Sequence, residues 1–163
     1  SKRYSMCGVR IGCLVTRSKT LHNAAMLFAQ ARLSPVLIGQ ILATAAHNDD
    51  AEYIQSVREE YTKRRNLLVE LLNEIPGVKC PKPKGAFYCV AELPVEDADD
   101  FAQWMLESFS DNGETVMVAP ASGFYSQPEL GKKQVRIAYV LKSEDLKRSV
   151  ELLKLALEKY NNK

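Results

Sequence analysis

The sequence predicts a mixed α/β or α+β fold, and three observations lead to this prediction. Short runs rich in β-branched and apolar residues, such as VRIGCLVT at 9–16 and QVRIAYVL at 134–141, have the length and composition of strands. Longer segments place apolar residues at helical spacing, above all over 50–75. The two kinds of segment intermix along the chain, as they do in α/β and α+β proteins.

The first part of the chain predicts one buried strand followed by two helices. The strand covers residues 9–16, and residues 21–46 are rich in Ala, Leu and Ile with few charges. Ser34 and Pro35 interrupt this apolar stretch, and serine can cap a helix whose first turn contains proline. We therefore expect two helices that are buried or lie at an interface.

A long amphipathic helix is predicted next, over 50–75. The segment NDD at 48–50 begins it, and Pro76-Gly77 ends it. Because the composition changes here, we predict a domain boundary at the start of this bridging helix. Residues 1–49 then form the C-terminal end of a larger sheet domain, and residues 50–163 form a small, complete α+β domain.

The small domain is predicted to contain three strands and two further helices. The strands are expected at 86–92, 116–119 and 134–141, and the helices at 98–111 and from Ser143 onward. No internal repeat or low-complexity segment interrupts this pattern.

Charge and hydropathy exclude several classes of protein. The 22 Lys and Arg and 20 Asp and Glu residues are scattered, so no basic stripe suits a nucleic-acid backbone. Charged or polar residues and proline break every apolar stretch well short of a membrane span, and no secretory leader is visible. We expect a cytoplasmic protein with neither nucleic acid nor membrane as partner.

Four cysteines raise the question of a metal site or a disulfide. They form no CxxC pair and have no histidine at metal-ligand spacing, so we expect no metal site. Buried free thiols are the favoured interpretation, with a disulfide as the alternative. The cysteines are Cys7, Cys13, Cys80 and Cys89.

Arg10 places a charge inside the first predicted strand. Such a charge is costly unless an anion meets it. Gly8 and Gly12 on either side would allow the backbone to approach a ligand closely. This pattern favours an anion-binding position.

Arg136 interrupts the last predicted strand in the same way. Strand alternation places Arg136 and Ala138 on one face and Val135, Ile137 and Tyr139 on the other. The planar guanidinium can bind a carboxylate or phosphate through two hydrogen bonds. The alternatives are a salt bridge within the domain, or an edge strand whose face lies in water.

Four motifs in order give the chain a family resemblance. SKRYSMCGVRIG, PKGAFYCV, VAPASGFY and VRIAYVL together resemble the C-terminal portion of the class I aminotransferases, with the nearest likeness to bacterial aspartate aminotransferases. These are pyridoxal-phosphate enzymes of fold type I. The resemblance implies the end of the large-domain sheet followed by a complete small domain.

The resemblance also implies roles for individual residues. Lys2 matches the lysine that forms the Schiff base with pyridoxal 5'-phosphate and transfers the proton, and Arg10 matches the arginine that binds the cofactor phosphate. Arg136 matches the arginine that binds the substrate carboxylate. Phe87 matches a position facing the substrate, with a core aromatic as the alternative, and Ser1 lies where it can touch the cofactor, with a surface residue as the alternative.

The implied activity is transfer of an amino group between an amino acid, of the aspartate or glutamate type, and a 2-oxo acid. The resemblance further implies a homodimer and an N-terminal portion of the same enzyme outside these residues, so this polypeptide alone is expected to be inactive. The alternatives are another fold type I enzyme, such as a β-lyase or a synthase, and a non-catalytic dimerisation or regulatory domain.

Overall fold

A computed structural model describes residues 3–48 and 51–162, so the predicted site residues Ser1 and Lys2 lie outside the described residues. The chain divides into two compact units, Ser1–Val57 and Arg58–Lys163. The division falls inside a helix, whereas the sequence places a domain boundary at 49/50. That domain assignment stays a prediction.

The first unit contains helices and irregular backbone. A 3-10 turn at Cys7–Val9 leads into two helices, α1 at Lys19–Arg32 and α2 at Leu37–Asn48, followed by the beginning of α3 at Ala51–Asn73. Ser18 caps α1, because its Oγ accepts a hydrogen bond from the Leu21 N–H at 3.3 Å.

The strand predicted at 9–16 is wrong. Residues 10–16 have no regular secondary structure, and the turn at Cys7–Val9 precedes them. A strand needs a neighbouring strand to pair with its backbone N–H and C=O groups. The described elements of this unit are helical, so the β-branched run has no such neighbour there.

The two helices of this unit keep large apolar side chains on their surfaces. Phe28 is 78% exposed on α1 and Ile38 is 67% exposed on α2. Exposed apolar side chains at this density are typical of a surface that another protein segment covers. The sequence predicted helices that are buried or lie at an interface, and the exposed apolar side chains favour the interface.

The second unit is a small antiparallel sheet packed against helices. Its strands are β1 at Tyr88–Glu92, β2 at Ala119–Pro120 and β3 at Gln134–Ala138, and β3 lies between the other two. The helices are the rest of α3, α4 at Ala98–Ser108 and α5 at Ser143–Asn161. No helix among the described residues is both long and apolar enough to cross a bilayer.

The core of the second unit joins one face of each helix to one face of the sheet. On α5 the buried residues recur at helical spacing, as an amphipathic helix requires. Each fully buried Leu or Phe stabilises the fold by about 1.5–3 kcal/mol. Members with at most 2% exposure include Leu68, Leu72, Ala91, Ala98, Phe101, Met105, Val135, Tyr139, Leu153 and Ala156.

Two of the four cysteines are buried as predicted. Cys80 and Cys89 lie in the core of the second unit, whereas Cys7 and Cys13 are exposed, and all four thiols are free. A hydrogen bond with the Cys80 thiol, together with burial, raises the pKa of Cys89. The prediction of burial is wrong for Cys7 and Cys13, which lie in the irregular segment before α1.

Tyr139 lies on the core face of β3 and fixes the turn before β1. Its side chain is 1% exposed, and its Oη donates a hydrogen bond to the Ala86 carbonyl at 3.0 Å. Ala86 has a φ of 57°, a left-handed conformation that is unfavourable for alanine. The hydrogen bond therefore helps to hold a strained turn in place.

Substitution of Tyr139 by phenylalanine tests this contact. Burial raises the pKa of the Tyr139 phenol above its usual value near 10. The unfolded phenol therefore ionises first, and the contribution of Tyr139 is fully present below pH ~10 and is lost as the pH rises further. We expect Tyr139→Phe to lower the free energy of unfolding by about 1 kcal/mol at pH 8, and by less at pH 11. Urea unfolding of both proteins across this range measures the difference, and a pH-independent difference would contradict the prediction.

Candidate functional site

Arg136 occupies the middle of the central strand. It pairs with Val90 of β1 on one side and with Ala119 of β2 on the other. Val135 and Tyr139 are buried at 0% and 1% exposure, which confirms that the opposite face of β3 is the core face. Arg136 therefore projects from the face of the sheet that points away from the core.

Two aromatic rings contact the Arg136 guanidinium. Its Cζ lies 4.6 Å from the ring centroid of Tyr88 on β1 and 4.4 Å from that of Phe124 in the loop after β2. Both distances are within the range of a favourable cation–π contact. Since a cation–π contact supplies no carboxylate or carbonyl acceptor, a planar anion would still be a favourable hydrogen-bond partner for the guanidinium.

The Arg136 guanidinium has no anionic partner in the described part of the second unit. No carboxylate there lies within salt-bridge distance of it, and no carbonyl accepts a hydrogen bond from it. Neither alternative for this residue holds, because β3 is the central strand and the internal salt bridge is absent from these residues. A half-buried cation whose N–H groups lack an acceptor favours binding of an external anion.

Two other arginines of the same unit are paired. Arg148 contacts three carboxylates at 2.7 to 2.9 Å, and these raise the pKa of its guanidinium. Arg64 binds Glu60 at 2.7 Å and the Val140 carbonyl at 2.6 Å. These two arginines therefore have protein partners, which distinguishes them from Arg136.

Hydrogen bonds fix the loop that carries Phe124. The Ala121 N–H donates to the Gln134 carbonyl at 2.9 Å, and the Phe124 N–H donates to the Ala121 carbonyl at 3.0 Å. The Tyr125 hydroxyl lies 2.7 Å from the Gln134 Oε1, and the Ser122 hydroxyl donates to an Asp99 carboxylate oxygen at 2.7 Å. The loop is therefore held to the start of β3 and to α4.

Phe87 and Tyr88 follow each other but lie in different surroundings. The ring of Phe87 stacks on Tyr61 of α3 at 5.5 Å, beside the core, and lies 4.6 Å from the Tyr88 ring. Tyr88, on the same face of the sheet as Arg136, is the ring that contacts the guanidinium. A substrate contact for Phe87 stays a prediction.

Sequence reasoning missed both Tyr88 and Phe124. Alternation from the buried Cys89 would have placed Tyr88 on the outer face, the face of Arg136. Phe124 carried no such signal, because its place depends on the path of a loop with no periodic pattern.

A cavity of about 470 Å³ adjoins Arg136. Among the described residues that line it, Arg136 carries the only charge. The rest of its wall is mostly apolar and comes from the sheet, α3 and α5, including Leu68, Leu72, Val118, Ile137 and Val150. Residues of both faces of the sheet line this cavity, and no carboxylate of its described lining would compete with Arg136 for an anion.

Arg10 lies in the first unit, directly after the 3-10 turn at Cys7–Val9. It has left-handed backbone angles, with φ 53° and ψ 45°, and one guanidinium nitrogen donates to the Cys7 carbonyl at 3.0 Å. Its side chain is exposed, whereas the sequence places it inside a buried strand. Arg10 therefore lies at the surface and not in a buried strand, which corrects the prediction. Its other guanidinium N–H groups are accessible.

The surroundings of Arg10 suit a phosphate group. Arg10 and Arg32 both line a cavity of about 610 Å³, and no carboxylate lines it among the described residues. Residues 1–48 contain no aspartate or glutamate at all, so local electrostatics favour an anion. Two guanidinium groups are an appropriate set of donors for a phosphate dianion.

Comparisons with known proteins agree with the motifs. The family described as "Aminotransferase class I and II" matches residues 1–153. Aspartate aminotransferase of Bacillus subtilis strain 168 is 33% identical over 99% of this chain, which covers 40% of that protein. That of Rhizobium meliloti is 29% identical, with the same two coverages.

Solved structures give the same relationship. The chain superimposes on an aromatic aminotransferase from Pyrococcus horikoshii OT3 with a TM-score of 0.81 and 28% identity, covering 99% of this chain and 42% of that one. For aspartate aminotransferase from Thermus thermophilus with maleate the TM-score is 0.68 at 25% identity. This match covers 85% of this chain and 34% of that one. The chain spans about 40% of the length of the curated relatives it matches. It belongs to the class I and II aminotransferase family, with the mixed helix and sheet architecture of fold type I.

Proposed function

We propose that the protein containing this chain is a pyridoxal-phosphate-dependent aminotransferase that moves an amino group between an amino acid and a 2-oxo acid. The observation that carries the proposal is Arg136, whose guanidinium has no carboxylate partner among the described residues of the second unit and which is the one charged residue in the described lining of a cavity. A site of this kind suits the carboxylate that every amino acid and 2-oxo acid carries. The solved Thermus thermophilus relative holds maleate, a dicarboxylate.

The residues divide the work as follows. Arg136 binds the substrate carboxylate and so orients the bonds at the neighbouring carbon. Lys2 attaches the cofactor through its Nζ and, when displaced, carries a proton to and from the substrate. Arg10, with Ser1 beside Lys2, binds the cofactor, and Phe87 borders the substrate. Pyridoxal phosphate, when bound, supplies the electron sink for the charge that develops on the substrate.

The substrate and the assembly form the finer part of the proposal. A substrate of the aspartate or glutamate type is proposed, and the relatives named aspartate aminotransferase support aspartate. A homodimer is supported by the exposed apolar surfaces of α1 and α2. The free thiols favour the cytoplasm. Because the chain covers about 40% of its relatives, we assign activity to the complete gene product, with an N-terminal portion, and propose that residues 1–163 alone are inactive.

Chemical trapping tests the role of Lys2. The complete gene product is incubated with pyridoxal phosphate, reduced with borohydride and digested, and mass spectrometry locates the modified lysine. We expect the label on Lys2, together with amino transfer from aspartate to 2-oxoglutarate. Pyridoxal without its phosphate should label Lys2 less if Arg10 holds the phosphate. A label on Lys19, or on no lysine, would contradict the proposal.

A further inference from the structure

We propose that Tyr88 and Phe124 are positioning residues, which hold the Arg136 guanidinium in the orientation that a carboxylate requires. This inference rests on the proposed function and deepens it. An unrestrained arginine side chain loses rotamer freedom when its planar fork docks on a carboxylate, and that loss weakens binding. Contacts that orient the guanidinium beforehand remove part of the loss.

Tyr88 is placed for this role by strand register. It pairs with Ala138, whereas Arg136 pairs with Val90, so Tyr88 and Arg136 are diagonal neighbours on one face of the sheet. Diagonal neighbours are within reach of long and aromatic side chains. The half-buried Tyr88 ring thus lies against the guanidinium because of the sheet itself.

Phe124 reaches the guanidinium from a different element, the loop after β2. Its side chain is 57% exposed, so burial of the ring in the core does not explain its position. The contact with the Arg136 guanidinium at 4.4 Å explains the position of the ring. The hydrogen bonds of the loop to Gln134 hold the ring there. A loop that is held by hydrogen bonds and carries an exposed ring can orient the Arg136 guanidinium before a ligand binds.

Neither aromatic contact supplies a carboxylate or carbonyl acceptor to the guanidinium N–H groups, so a ligand can supply one. A hydrogen-bonded protein carboxylate would also order Arg136, but it would occupy the same donors. Aromatic rings attract the cation through their electron-rich faces and so restrict its motion without supplying a competing carboxylate. This difference separates Arg136 from Arg148, whose donors are taken by three carboxylates.

Nuclear magnetic resonance on the chain 1–163 measures the ordering directly. The relaxation of the Arg136 Nε–H group is recorded for the wild type, Phe124→Leu, Tyr88→Leu and Tyr88→Phe. We expect the order parameter to fall in both leucine variants and to be kept in Tyr88→Phe, which retains the ring. Leu130→Ala is the matched control, since Leu130 belongs to the same loop and is 59% exposed. Unchanged order in Phe124→Leu would overturn the inference.

Carboxylate binding is measured on the same samples. Sodium acetate is titrated against sodium chloride at equal ionic strength, and the Arg136 Nε–H shift reports binding. We expect Phe124→Leu to weaken acetate binding about threefold to tenfold and Leu130→Ala to leave it unchanged. Equal binding by wild type and Phe124→Leu, or no shift in the wild type, would overturn the inference.

Steady-state kinetics on the complete gene product separate this inference from the proposed function. Phe124→Leu should raise KM for the amino donor about threefold to tenfold and leave kcat within about twofold, because the lost contact acts on binding. Circular dichroism checks that the variant is folded. Absence of amino transfer in the wild type would refute the proposed function only, since the relaxation and acetate measurements do not depend on turnover.

Discussion

Replacement of Arg136 by lysine is expected to lower kcat/KM of the complete gene product for its amino donor by about 100-fold or more. Lysine keeps the positive charge but presents a compact ammonium in place of a planar fork, so it cannot form two parallel hydrogen bonds to one carboxylate. It also lacks the guanidinium group that contacts Tyr88 and Phe124. The substrate would then bind with its α-carbon displaced from the position that proton transfer requires.

The control for this substitution is the same change at a different arginine. Arg58 is exposed and begins the second unit, so Arg58→Lys alters the chain chemically in the same way away from the cavity. We expect it to leave kcat/KM within about twofold, as surface substitutions usually have small effects. Retention of kcat/KM within threefold by Arg136→Lys would show that the arginine does not bind the substrate carboxylate.

Arg136 shows what strand alternation can predict and what it leaves open. A period of two residues placed Arg136 opposite Val135 and Tyr139, and both are buried in the structure. The same pattern left open whether β3 was a central or an edge strand, since this depends on which segments pair. The pairing of β3 with both β1 and β2 settled that question.

Local pattern failed where long-range contacts decide the structure. The run at 9–16 has strand composition, but composition describes how a residue fits a sheet and does not supply the neighbouring strand. The strand predicted at 116–119 is reduced to Ala119–Pro120, since only these residues pair with β3. Helices formed close to their predicted positions, because helical hydrogen bonds are local.

In the candidate site, too, some features could be predicted from local sequence and others could not. The two arginines were visible in the sequence because a charge inside an apolar run is conspicuous. The contact of Phe124 with Arg136 was not visible, although the motif VAPASGFY contains Phe124, because hydrogen bonds from Ala121 and Tyr125 to Gln134 determine the path of its loop. The packing of that loop can itself be tested at a glycine.

Gly131 to alanine is expected to cost about 2–3 kcal/mol of unfolding free energy. Gly131 is buried, and a Cβ there would lie 2.6 Å from the Ala121 carbonyl oxygen and 2.7 Å from the Tyr125 Cδ2. The backbone N–H of Ala121 is hydrogen-bonded to the Gln134 carbonyl. The Ala121 backbone therefore cannot move away from the new Cβ without breaking the hydrogen bond that holds the loop. The clash therefore loosens the segment that carries Phe124.

Gly123 provides the matched control for this substitution, because it lies in the same loop and a Cβ there would meet no atom within 4 Å. Gly123→Ala should leave the free energy of unfolding unchanged or raise it by up to about 1 kcal/mol, since alanine restricts the unfolded chain. Urea unfolding of the two variants gives the comparison, and equal midpoints would refute the packing argument. Because the Phe124 ring depends on this loop, Gly131→Ala should also lower the order of the Arg136 guanidinium, whereas Gly123→Ala should preserve it. A stability loss without that change in order would contradict the positioning role of Phe124.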